Sequence, residues 1–532
     1  MEDSLSGSDN DYLSEKIISL LGSAYCLQST YAVRFNGSMS NRLLVFVFFC
    51  FFASVFFFKG VTYLDADFGW HVRLGQYILA HGIPKTDPFS YTMPSYPFID
   101  HEWLTNILLF PLFTQLGMVG TSAVFVVICF VAVGIQIPRK NLWLAVVPVV
   151  GALTILFPYF GVRNQVISWL FFSLLMKLLW DEKLWQRWRW TLPLIMLLWV
   201  NMHGSFLFGI VIVGLFIGTR IMRKQATASD IGVFLLSVGA MLLNPYGLRM
   251  LQESWVLASD ENLHWRYGEW MPVIFEKNIL VYCYFIFSVG FILSIRKKVR
   301  KDTLVCLVII LAAGISSIRH LPFFIIAAIP YTTQALAFWM HTVGKQKKQI
   351  LLVKQVSWGL VTVIIGVCLL SMKIEYTRAA TLTEEKAYPK DAVMYLREHM
   401  PQKNILSVYE WGGYLDWKLP EKKVFSDGRM PSWELKNPSV HESSDIFQEE
   451  EQLYSGDISL AQEVKKYDID TVLFYAPVSE KEAKAAQLSS NEIFAPFFKQ
   501  KKPRFLPLQD QLKQDGWKIV YQDTLAVVYK KE

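Results

Sequence analysis

Two carboxylates stand close to an apolar segment near the start of the chain. Residues 42–58 (RLLVFVFFCFFASVFFF) are almost entirely apolar, and YLDADFGWHVRLG (63–75) follows soon after them. Asp65 and Asp67 flank a single alanine in this second stretch. Such a DxD spacing can chelate a divalent cation, Mg²⁺ or Mn²⁺, or hold one carboxylate as a general base.

The same residues also suit the start of a helix. GWHVRLGQYILAHG predicts a helix that ends at Gly82, and an acid just before such a helix commonly caps it. His71 falls one turn after Asp67 on the same face of this helix, and Arg73 follows it. Both interpretations can hold at once, because Asp65 can cap the helix while Asp67 faces a cavity.

A second polar cluster ends the same loop, which runs from residue 60 to residue 102. Asp100, His101 and Glu102 immediately precede the apolar sequence WLTNILLF. These residues either cap the next helix or belong to a polar site, and the sequence leaves both interpretations open.

Comparable polar groups follow four later apolar segments. Arginine and histidine neutralise phosphate oxygens, whereas asparagine, glutamine and tryptophan suit hydroxyl groups and sugar faces. We therefore predict a site that binds an anion such as a phosphate together with a polyhydroxylated ligand. Its candidate residues are Arg163, Gln165, Asn201, His203, Asn244, Glu269, Trp270, Arg319 and His320.

The composition limits the class of protein that can carry these residues. Of the 532 residues, 53% are hydrophobic and only 18% are charged, a balance typical of membrane proteins. The net charge of +7 is spread over short clusters between apolar runs, so no nucleic acid partner is expected. The motifs GxxxxGK[ST], HExxH and GxSxG are absent from the sequence, which leaves a nucleotide hydrolase or a zinc protease without support.

Apolar runs near the roughly 20 residues that a helix needs to cross a bilayer recur along the first two thirds of the chain. The shorter run 103–116 is expected to lie at the membrane interface or to re-enter the membrane. The predicted spans are 41–58, 117–137, 141–160, 166–180, 191–203, 205–221, 231–248, 279–295, 303–318, 321–340 and 352–371.

The charges between these runs predict an orientation in the cell membrane. With the polar tail 1–40 in the cytoplasm, the loops after alternate spans are all basic, as the positive-inside rule requires. Their Lys and Arg residues are expected to have no acidic partners. The candidate polar residues then lie on the outer face, where the repeated cost of placing them beside a bilayer favours one shared site for a lipid phosphate. The basic loops are 138–141, 181–190, 220–225, 296–301 and 344–349.

The chain changes character after the last apolar run. Strand-like and helical stretches alternate, which predicts a small α/β domain outside the cytoplasm. The overall expectation is an α-helical polytopic membrane protein with about 11 transmembrane helices over 41–372 and an extracytoplasmic domain over 373–532. The predicted strands are 404–409, 422–428, 470–476, 517–523 and 525–531, and the predicted helices are 389–399, 458–466 and 507–514.

Two motifs of this domain allow two interpretations. YEWGGYLDW and FSDGR are either structural turns or an acceptor-binding surface. The pair Gly412 and Gly413 suits a tight turn between a strand and a helix, and Asp427 with Gly428 suits a turn after a strand.

The motifs in their order resemble a known superfamily. Over about residues 41–430 the chain is similar to bacterial multi-pass membrane glycosyltransferases of the GT-C superfamily. The similar members are related to rhizobial galacturonosyltransferases and to enzymes that transfer mannose and aminoarabinose. The motifs that carry the resemblance are LDADFGWHVRLGQYILAHGIPKTDPFSYT, FIDHEWL, GVRNQVISWLFF, WVNMHGSFLFG, NPYG, GEWMP, RHLPFF and YEWGGYLDWKLPEKKVFSDGR.

The resemblance implies a reaction and a role for each candidate residue. A hexosyl or pentosyl group would pass from a polyprenyl-phosphate donor to a glycan, lipid or protein acceptor at the outer face. Asp67 would be the general base of an inverting transfer, with Asp65 orienting it or sharing a metal, or the two roles would be reversed. The departing phosphate would be stabilised by Arg163, Arg319 and His320. The remaining substrate-binding candidates are His71, Arg73, Asp100, His101, Glu102, Gln165, Asn201, His203 and Glu269.

Other functions share some of these features. A flippase or transporter of lipid-linked sugars also needs a polar cavity, although the sequence shows no internal repeat of the kind that transporters often have. An O-antigen ligase or polymerase would use similar substrates, and a non-catalytic scaffold would use the C-terminal domain to bind a partner. Loss of activity on removal of the carboxylates would exclude the scaffold.

Overall fold

The computed structural model describes residues 39–140, 142–260, 263, 268–343, 350–477 and 508–531. Nearly all of the predicted N-terminal tail and the whole basic loop 344–349 lie outside these residues. The chain forms two compact units. We call them the helical unit (Met1–Gly60 and Ser122–Thr377) and the mixed unit (Val61–Thr121 and Arg378–Glu532).

Each of the eleven predicted apolar runs contains a helix in the structure, although the run 231–248 is helical only as far as Ala240. A helix satisfies the backbone N–H and C=O groups of an apolar run within the run itself, so runs of this kind predict helices. These helices, with two shorter ones that join them, are α1 (Met39–Thr62), α3 (Trp103–Gln136), α4 (Leu142–Tyr159), α5 (Gln165–Trp180), α6 (Glu182–Trp188), α7 (Leu192–Met202), α8 (Phe206–Met222), α9 (Ala228–Ala240), α10 (Leu248–Ser259), α11 (Ile279–Ser294), α12 (Lys301–Ser316), α13 (Leu321–Val343) and α14 (Ile350–Ala379).

Among the described residues, three helical segments are long and apolar enough to cross a membrane: Trp103–Gln136, Leu142–Tyr159 and Ile318–Thr342. Five others are apolar but shorter, so a crossing by each of them stays a prediction. The five are Phe46–Thr62, Gln165–Trp180, Phe206–Met222, Ala228–Ala240 and Ile279–Ser294.

Helix α3 is bent at Gly117. Its φ of 62° and ψ of −169° are not helical, and they separate the run 103–116 from the longer apolar run that follows. The expected division between these two runs therefore falls at a glycine, the residue that adopts this backbone conformation most easily. The expected interfacial position of 103–116 stays a prediction.

The basic residues between the spans are not all unpaired, contrary to expectation. Arg220 Nη1 donates to Glu182 Oε2 at 2.8 Å, and Arg189 Nη1 donates to Asp230 Oδ1 at 2.8 Å. Arg300 also lies 3.0 Å from Glu182 Oε2. The sequence pattern missed these pairs because their partners come from different loops, which only the packing of the helices brings together.

The mixed unit is built around a four-stranded sheet in the order β1-β2-β4-β3. Strand β1 pairs with β2 in parallel, and the other two pairings are antiparallel. This arrangement confirms the predicted C-terminal α/β fold. The elements are α2 (Phe68–His81), α15 (Glu384–Ala387), α16 (Lys390–Glu398), β1 (Asn404–Ser407), α17 (Tyr409–Lys418), α18 (Ile446–Ser455), α19 (Leu460–Tyr467), β2 (Ile469–Tyr475), α20 (Leu508–Gln514), β3 (Lys518–Gln522) and β4 (Ala526–Lys530).

The strand predicted over 422–428 is wrong. Its backbone pairs with the first loop instead, where Val424 N donates to Phe89 O at 2.9 Å and Tyr91 N donates to Val424 O at 3.2 Å. These residues make one isolated parallel bridge between Ser90 and Val424 rather than a strand of the sheet.

Residues of the first loop form part of the core of the mixed unit. Trp70, Leu74 and Phe89 are buried in one hydrophobic cluster with Phe425 and Val472. The loop and the C-terminal residues therefore pack together as one folded body, since each supplies apolar surface that the other buries.

Candidate active site

The two carboxylates of the DxD motif differ in their surroundings. Asp65 is buried, and its Oδ1 accepts the backbone N–H of Asp67 at 3.1 Å while its Oδ2 accepts the hydroxyl of Tyr63 at 3.2 Å. The Asp67 side chain is only partly buried, and its Oδ1 accepts the indole N–H of Trp70 at 3.0 Å. Asp65 thus shapes the turn that starts helix α2, whereas Asp67 holds a carboxylate nearer to solvent.

His71 lies in a buried polar network on the same helix. Its Nδ1 is 2.8 Å from Asn106 Oδ1, and its Nε2 is 3.4 Å from Glu102 Oε2. The ring also lies against Trp70, with 3.6 Å between the ring centroids and 36° between the ring planes. Both ring nitrogens therefore have a side-chain oxygen as neighbour.

The second acidic cluster joins this network. Asp100 Oδ1 accepts the backbone N–H of Glu102 at 2.9 Å, and its Oδ2 accepts the amide of Asn106 at 2.8 Å. Burial raises the pKa of Asp100 to about 7, although the hydrogen bond from Glu102 N opposes the shift. His101 Nε2 lies 3.7 Å from Glu102 Oε1. Asp100 therefore shapes the turn just before the next helix and also connects to His71 through Asn106.

Arg73 lies away from these groups. It donates from Nη1 to Gln76 Oε1 at 2.9 Å, and its guanidinium carbon is 5.9 Å from the centroid of the Phe89 ring. The helix turns this side chain towards Phe89 because Arg73 follows His71 by two positions, and positions i and i+2 do not share a helix face.

In the helical unit, three loop motifs bring charged residues together. Glu269 pairs with Arg163 through Oε1 and lies 3.5 Å from Arg319 Nη1 through Oε2. Burial opposes the ionisation of Glu269, but the two guanidinium groups outweigh it and hold the pKa of that carboxyl below its usual range. The motifs GVRNQ, GEWMP and SIRHLP therefore form one charged cluster.

Backbone bonds fix this cluster in place. Arg319 N donates to Glu269 O at 2.7 Å, and Gln165 Nε2 donates to Arg319 O at 3.0 Å. The guanidinium of Arg319 lies 5.1 Å from the centroid of the Trp270 ring, and His320 lies 6.2 Å from the same ring. The cluster thus combines cations with an aromatic face, the two features that a phosphate and a sugar need.

The structure gives Asn201 and His203 local bonds at the end of helix α7. Asn201 Nδ2 donates to Leu197 O at 2.7 Å and to Leu243 O at 3.1 Å. His203 Nδ1 accepts the backbone N–H of Ser205 at 3.0 Å. Asn244 similarly closes its own turn by donating to Gly247 O at 3.1 Å. These contacts hold helix ends, and a role in ligand binding stays a prediction.

A divalent cation at Asp65 and Asp67 is compatible with the residues present only in part. Within the described residues, no three His, Cys, Asp or Glu side chains are placed as a ligand set for a metal ion. Two carboxylates are enough for Mg²⁺ when waters and substrate phosphates complete its coordination. Asp65 and Asp67 would then hold the cation, which would help to neutralise the phosphate of the substrate.

The sequence did not predict how the glycines of YEWGG and FSDGR contact the residues around the DxD motif. Gly428 lies against the Asp67 carboxylate, since a Cβ on Gly428 would be 2.0 Å from Asp67 Oδ1. Gly412 and Gly413 do not form the expected turn but lie within helix α17. A Cβ on Gly413 would be 2.6 Å from Ala66 O, so the glycine allows close approach of two backbones. The motifs YEWGG and FSDGR were the signals that pointed to these positions.

No known protein-family model and no curated protein matches the sequence. Two solved structures are similar in fold. ArnT from Cupriavidus metallidurans in the apo state is 12% identical, with a TM-score of 0.52 over 92% of this chain and 98% of that chain. The Archaeoglobus fulgidus oligosaccharyltransferase in complex with Zn and sulfate is also 12% identical, with a TM-score of 0.51 over 91% of this chain and 72% of that chain. The likeness to these two structures confirms the predicted fold.

Proposed function

We propose that this chain is a membrane glycosyltransferase that uses a polyprenyl-phosphate sugar as donor and a hydroxyl of a glycan, lipid or protein as acceptor. The observation that carries the proposal is the fold shared with two glycosyltransferases over more than nine tenths of the chain. At 12% identity this likeness concerns the fold, and the residues of the two clusters supply the argument for the chemistry.

The partly exposed Asp67 is our candidate for the general base. A carboxylate can take the proton from an acceptor hydroxyl while the oxygen attacks the anomeric carbon of the donor sugar. The bond from that carbon to the phosphate oxygen breaks in the same step, and polyprenyl phosphate leaves with the electron pair. Asp65 is buried and already accepts two hydrogen bonds, so its proposed role is to fix the turn that carries Asp67.

Arg163 and Arg319 are our candidates for binding the donor phosphate. Charge-assisted hydrogen bonds from guanidinium groups are the usual means of binding phosphate, and they gain strength as negative charge develops on the leaving group. Glu269 forms an ion pair with each of these arginines in the described structure. A donor phosphate would therefore have to compete with this carboxylate for the same two side chains.

We further propose that transfer takes place at the outer face of the cell membrane. The basic loops between the apolar helices support this orientation through the positive-inside rule. His101 and Glu102, of which His101 is the more exposed, are candidates for contacting the sugar or the acceptor.

The role of the carboxylates can be tested with purified protein and a panel of polyprenyl-phosphate sugars. We expect Asp67→Asn to lower kcat by about 100-fold or more. The asparagine oxygen can still accept the Trp70 indole N–H, so the fold should persist. Asp468→Asn is the matched control, because Asp468 is an exposed carboxylate paired with Lys403. Wild-type transfer by Asp67→Asn would disprove the assignment of the base to Asp67, and wild-type transfer by both Asp65→Asn and Asp67→Asn would exclude the DxD motif as its source.

The phosphate role has a separate test in lipid binding. Arg319→Ala and Arg163→Ala should each weaken binding of polyprenyl phosphate by about tenfold, the size of one charge-assisted hydrogen bond. Glu269→Gln should instead tighten it, because a neutral amide no longer competes with the phosphate. Glu276→Gln is the control, since Glu276 bonds to Tyr159 and to the Asn278 backbone. Equal affinity of Glu269→Gln and wild type would remove the competition that we propose.

A further inference from the structure

We propose that Gly428 and Trp70 are positioning residues for Asp67, so that the FSDGR motif of the C-terminal part sets the geometry of the base. The inference rests on the proposed function, because it names residues that act through the same carboxylate. It differs from the two interpretations of FSDGR as a fold-stabilising turn or an acceptor-binding surface.

Two groups lie against the Asp67 carboxylate at a single oxygen. The Trp70 indole N–H donates to Asp67 Oδ1 at 3.0 Å. A Cβ built on Gly428 would lie 2.0 Å from that same Oδ1 and 3.3 Å from Trp70 Nε1. Only a residue without a side chain leaves this space to the carboxylate, so Gly428 and Trp70 together define where Oδ1 sits.

The position of Gly428 is itself fixed by the next residue. Arg429 is buried, and its Nε and Nη2 donate to the two carboxylate oxygens of Asp427 at 2.8 and 2.6 Å. Its Nη1 donates to Asp87 Oδ1 at 2.8 Å. Asp427 and Arg429 flank Gly428, and the planar Arg429 guanidinium makes three charge-assisted hydrogen bonds to Asp427 and Asp87. These bonds leave the turn little freedom.

The Arg429 guanidinium is also enclosed by aromatic rings. Its central carbon lies 4.9 Å from the centroid of Phe89, 5.1 Å from Phe98 and 5.3 Å from Trp433. Cation–π contacts of this kind add stability where water is excluded. The turn that carries Gly428 is therefore held by Asp87, Phe89 and Phe98 of the first loop. Gly428 itself lies against Asp67.

Helix α2, which begins directly after Asp67, is held by close contacts between backbones. A Cβ on Gly69 would lie 2.0 Å from Gly413 O, and a Cβ on Gly412 would lie 1.9 Å from Ser426 O. Helices α2 and α17 and the FSDGR turn thus meet backbone to backbone. Because these three backbones are in contact, flexible side chains cannot absorb a shift of the turn. Such a shift therefore moves the Asp67 carboxylate.

The experiment compares full-length Gly428→Ala and Trp70→Phe with wild type. Because misplacement by about 1 Å can cost about 100-fold in rate, we expect kcat of Gly428→Ala to fall by about that factor with the KM for the donor lipid unchanged. Trp70→Phe removes the indole donor but keeps a ring against His71, and it should lower kcat in the same way. If Gly428→Ala fails to fold, Trp70→Phe decides alone.

A second readout does not depend on activity. Carbodiimide coupling of carboxylates, measured by mass spectrometry on the purified protein, should change at Asp67 in both variants and stay constant at Asp65. Leu453→Ala is the control for general destabilisation, because Leu453 is a fully buried core residue of the mixed unit. It should lower the melting temperature while its folded protein keeps wild-type kcat and wild-type coupling at Asp67.

The outcomes separate this inference from the proposed function. Wild-type kcat and wild-type coupling in both variants would overturn the positioning role even if Asp67→Asn is inactive. If wild type transfers no sugar from the panel, the proposed function fails, and the coupling of Asp67 still decides whether Gly428 and Trp70 place the carboxylate.

Discussion

Three aspartates of the mixed unit lie in different environments. Asp67 is partly exposed beside the Trp70 indole, whereas Asp100 is buried in a network with Asn106. Asp416 is also buried, and both burial and the nearby Asp427 raise the pKa of its carboxyl. A group that must exchange a proton with a substrate needs access to it, so of these three only Asp67 suits a base.

Asp100 makes stability depend on pH. Burial, together with the charge of Glu102, raises the pKa of this carboxyl from 3.8 to about 7, while the hydrogen bonds from Glu102 N and Asn106 and the charge of Arg429 oppose the shift. As the pH rises, the unfolded state loses this proton first, because burial keeps the carboxyl protonated in the folded state. Loss of the proton therefore favours the unfolded state. The free energy of unfolding should therefore fall as the pH rises from about 4 to about 7, by up to about 4 kcal/mol.

The measurement is the apparent melting temperature of wild type and Asp100→Asn at pH 5 and pH 8. The asparagine does not titrate, so its melting temperature should fall less between these two pH values than that of wild type. All other titrating groups are common to both proteins and cancel in the comparison. Parallel pH dependence in the two proteins would contradict the effect of burial on Asp100.

At the scale of elements, glycines decide how the helices are shaped and how closely they approach. Gly413 and Gly69 let α17 and α2 meet through their backbones. Gly117 has a different role, since nothing lies within 4 Å of a Cβ built on it. Its φ of 62° alone explains the glycine, because the bend of α3 requires a backbone conformation that other residues adopt only with strain.

Replacement of Gly117 by alanine should therefore destabilise the protein through the backbone. We expect a loss of about 1–3 kcal/mol, the usual cost of such a conformation in a residue with a side chain. Gly134→Ala is the matched control, because Gly134 lies in the regular part of the same helix with open space around it. There alanine should keep or raise the melting temperature, as it does in helix interiors. Equal melting temperatures for the two variants would contradict the strain at Gly117.

At the scale of the whole molecule, one side chain connects distant parts of the mixed unit. Arg429 bonds to Asp87, which lies 342 residues earlier in the chain. Around this bond, first-loop residues such as Trp70 and Phe98 are buried with C-terminal residues such as Trp433. The first loop thus packs against C-terminal residues such as Arg429 and Trp433.

Arg429→Met should destabilise the mixed unit strongly. Removing one partner of a buried ion pair leaves the other charge unpaired, which typically costs about 3–5 kcal/mol. Lys403→Met is the control, because Lys403 and Asp468 form an exposed pair that contributes little. Thermal unfolding of the purified proteins should show a large drop in melting temperature for Arg429→Met alone. Similar small drops in both variants would show that the buried pair does not hold the unit together.

Much of the fold could be predicted because its signals are local. Each apolar run contains a helix, although 231–248 is helical only to Ala240, and the acid before GWHVRLGQYILAHG marked the start of α2 with Gly82 at its end. The stretch 422–428 was predicted wrongly as a strand for the opposite reason, since Val424 finds its partners in the distant first loop. Local pattern reports backbone preference, but it carries no information on a partner far away in sequence.

By itself, the sequence determined the apolar helices, the C-terminal sheet and the types of side chain available for chemistry. Only the tertiary structure decided which of these side chains meet, as in the pairing of Glu269 with Arg163 and Arg319 or the contact of Gly428 with Asp67. The physical reason is the separation in sequence between the residues that interact. Helices follow from hydrogen bonds between near neighbours, whereas charge pairs and close backbone contacts depend on how distant elements pack against each other.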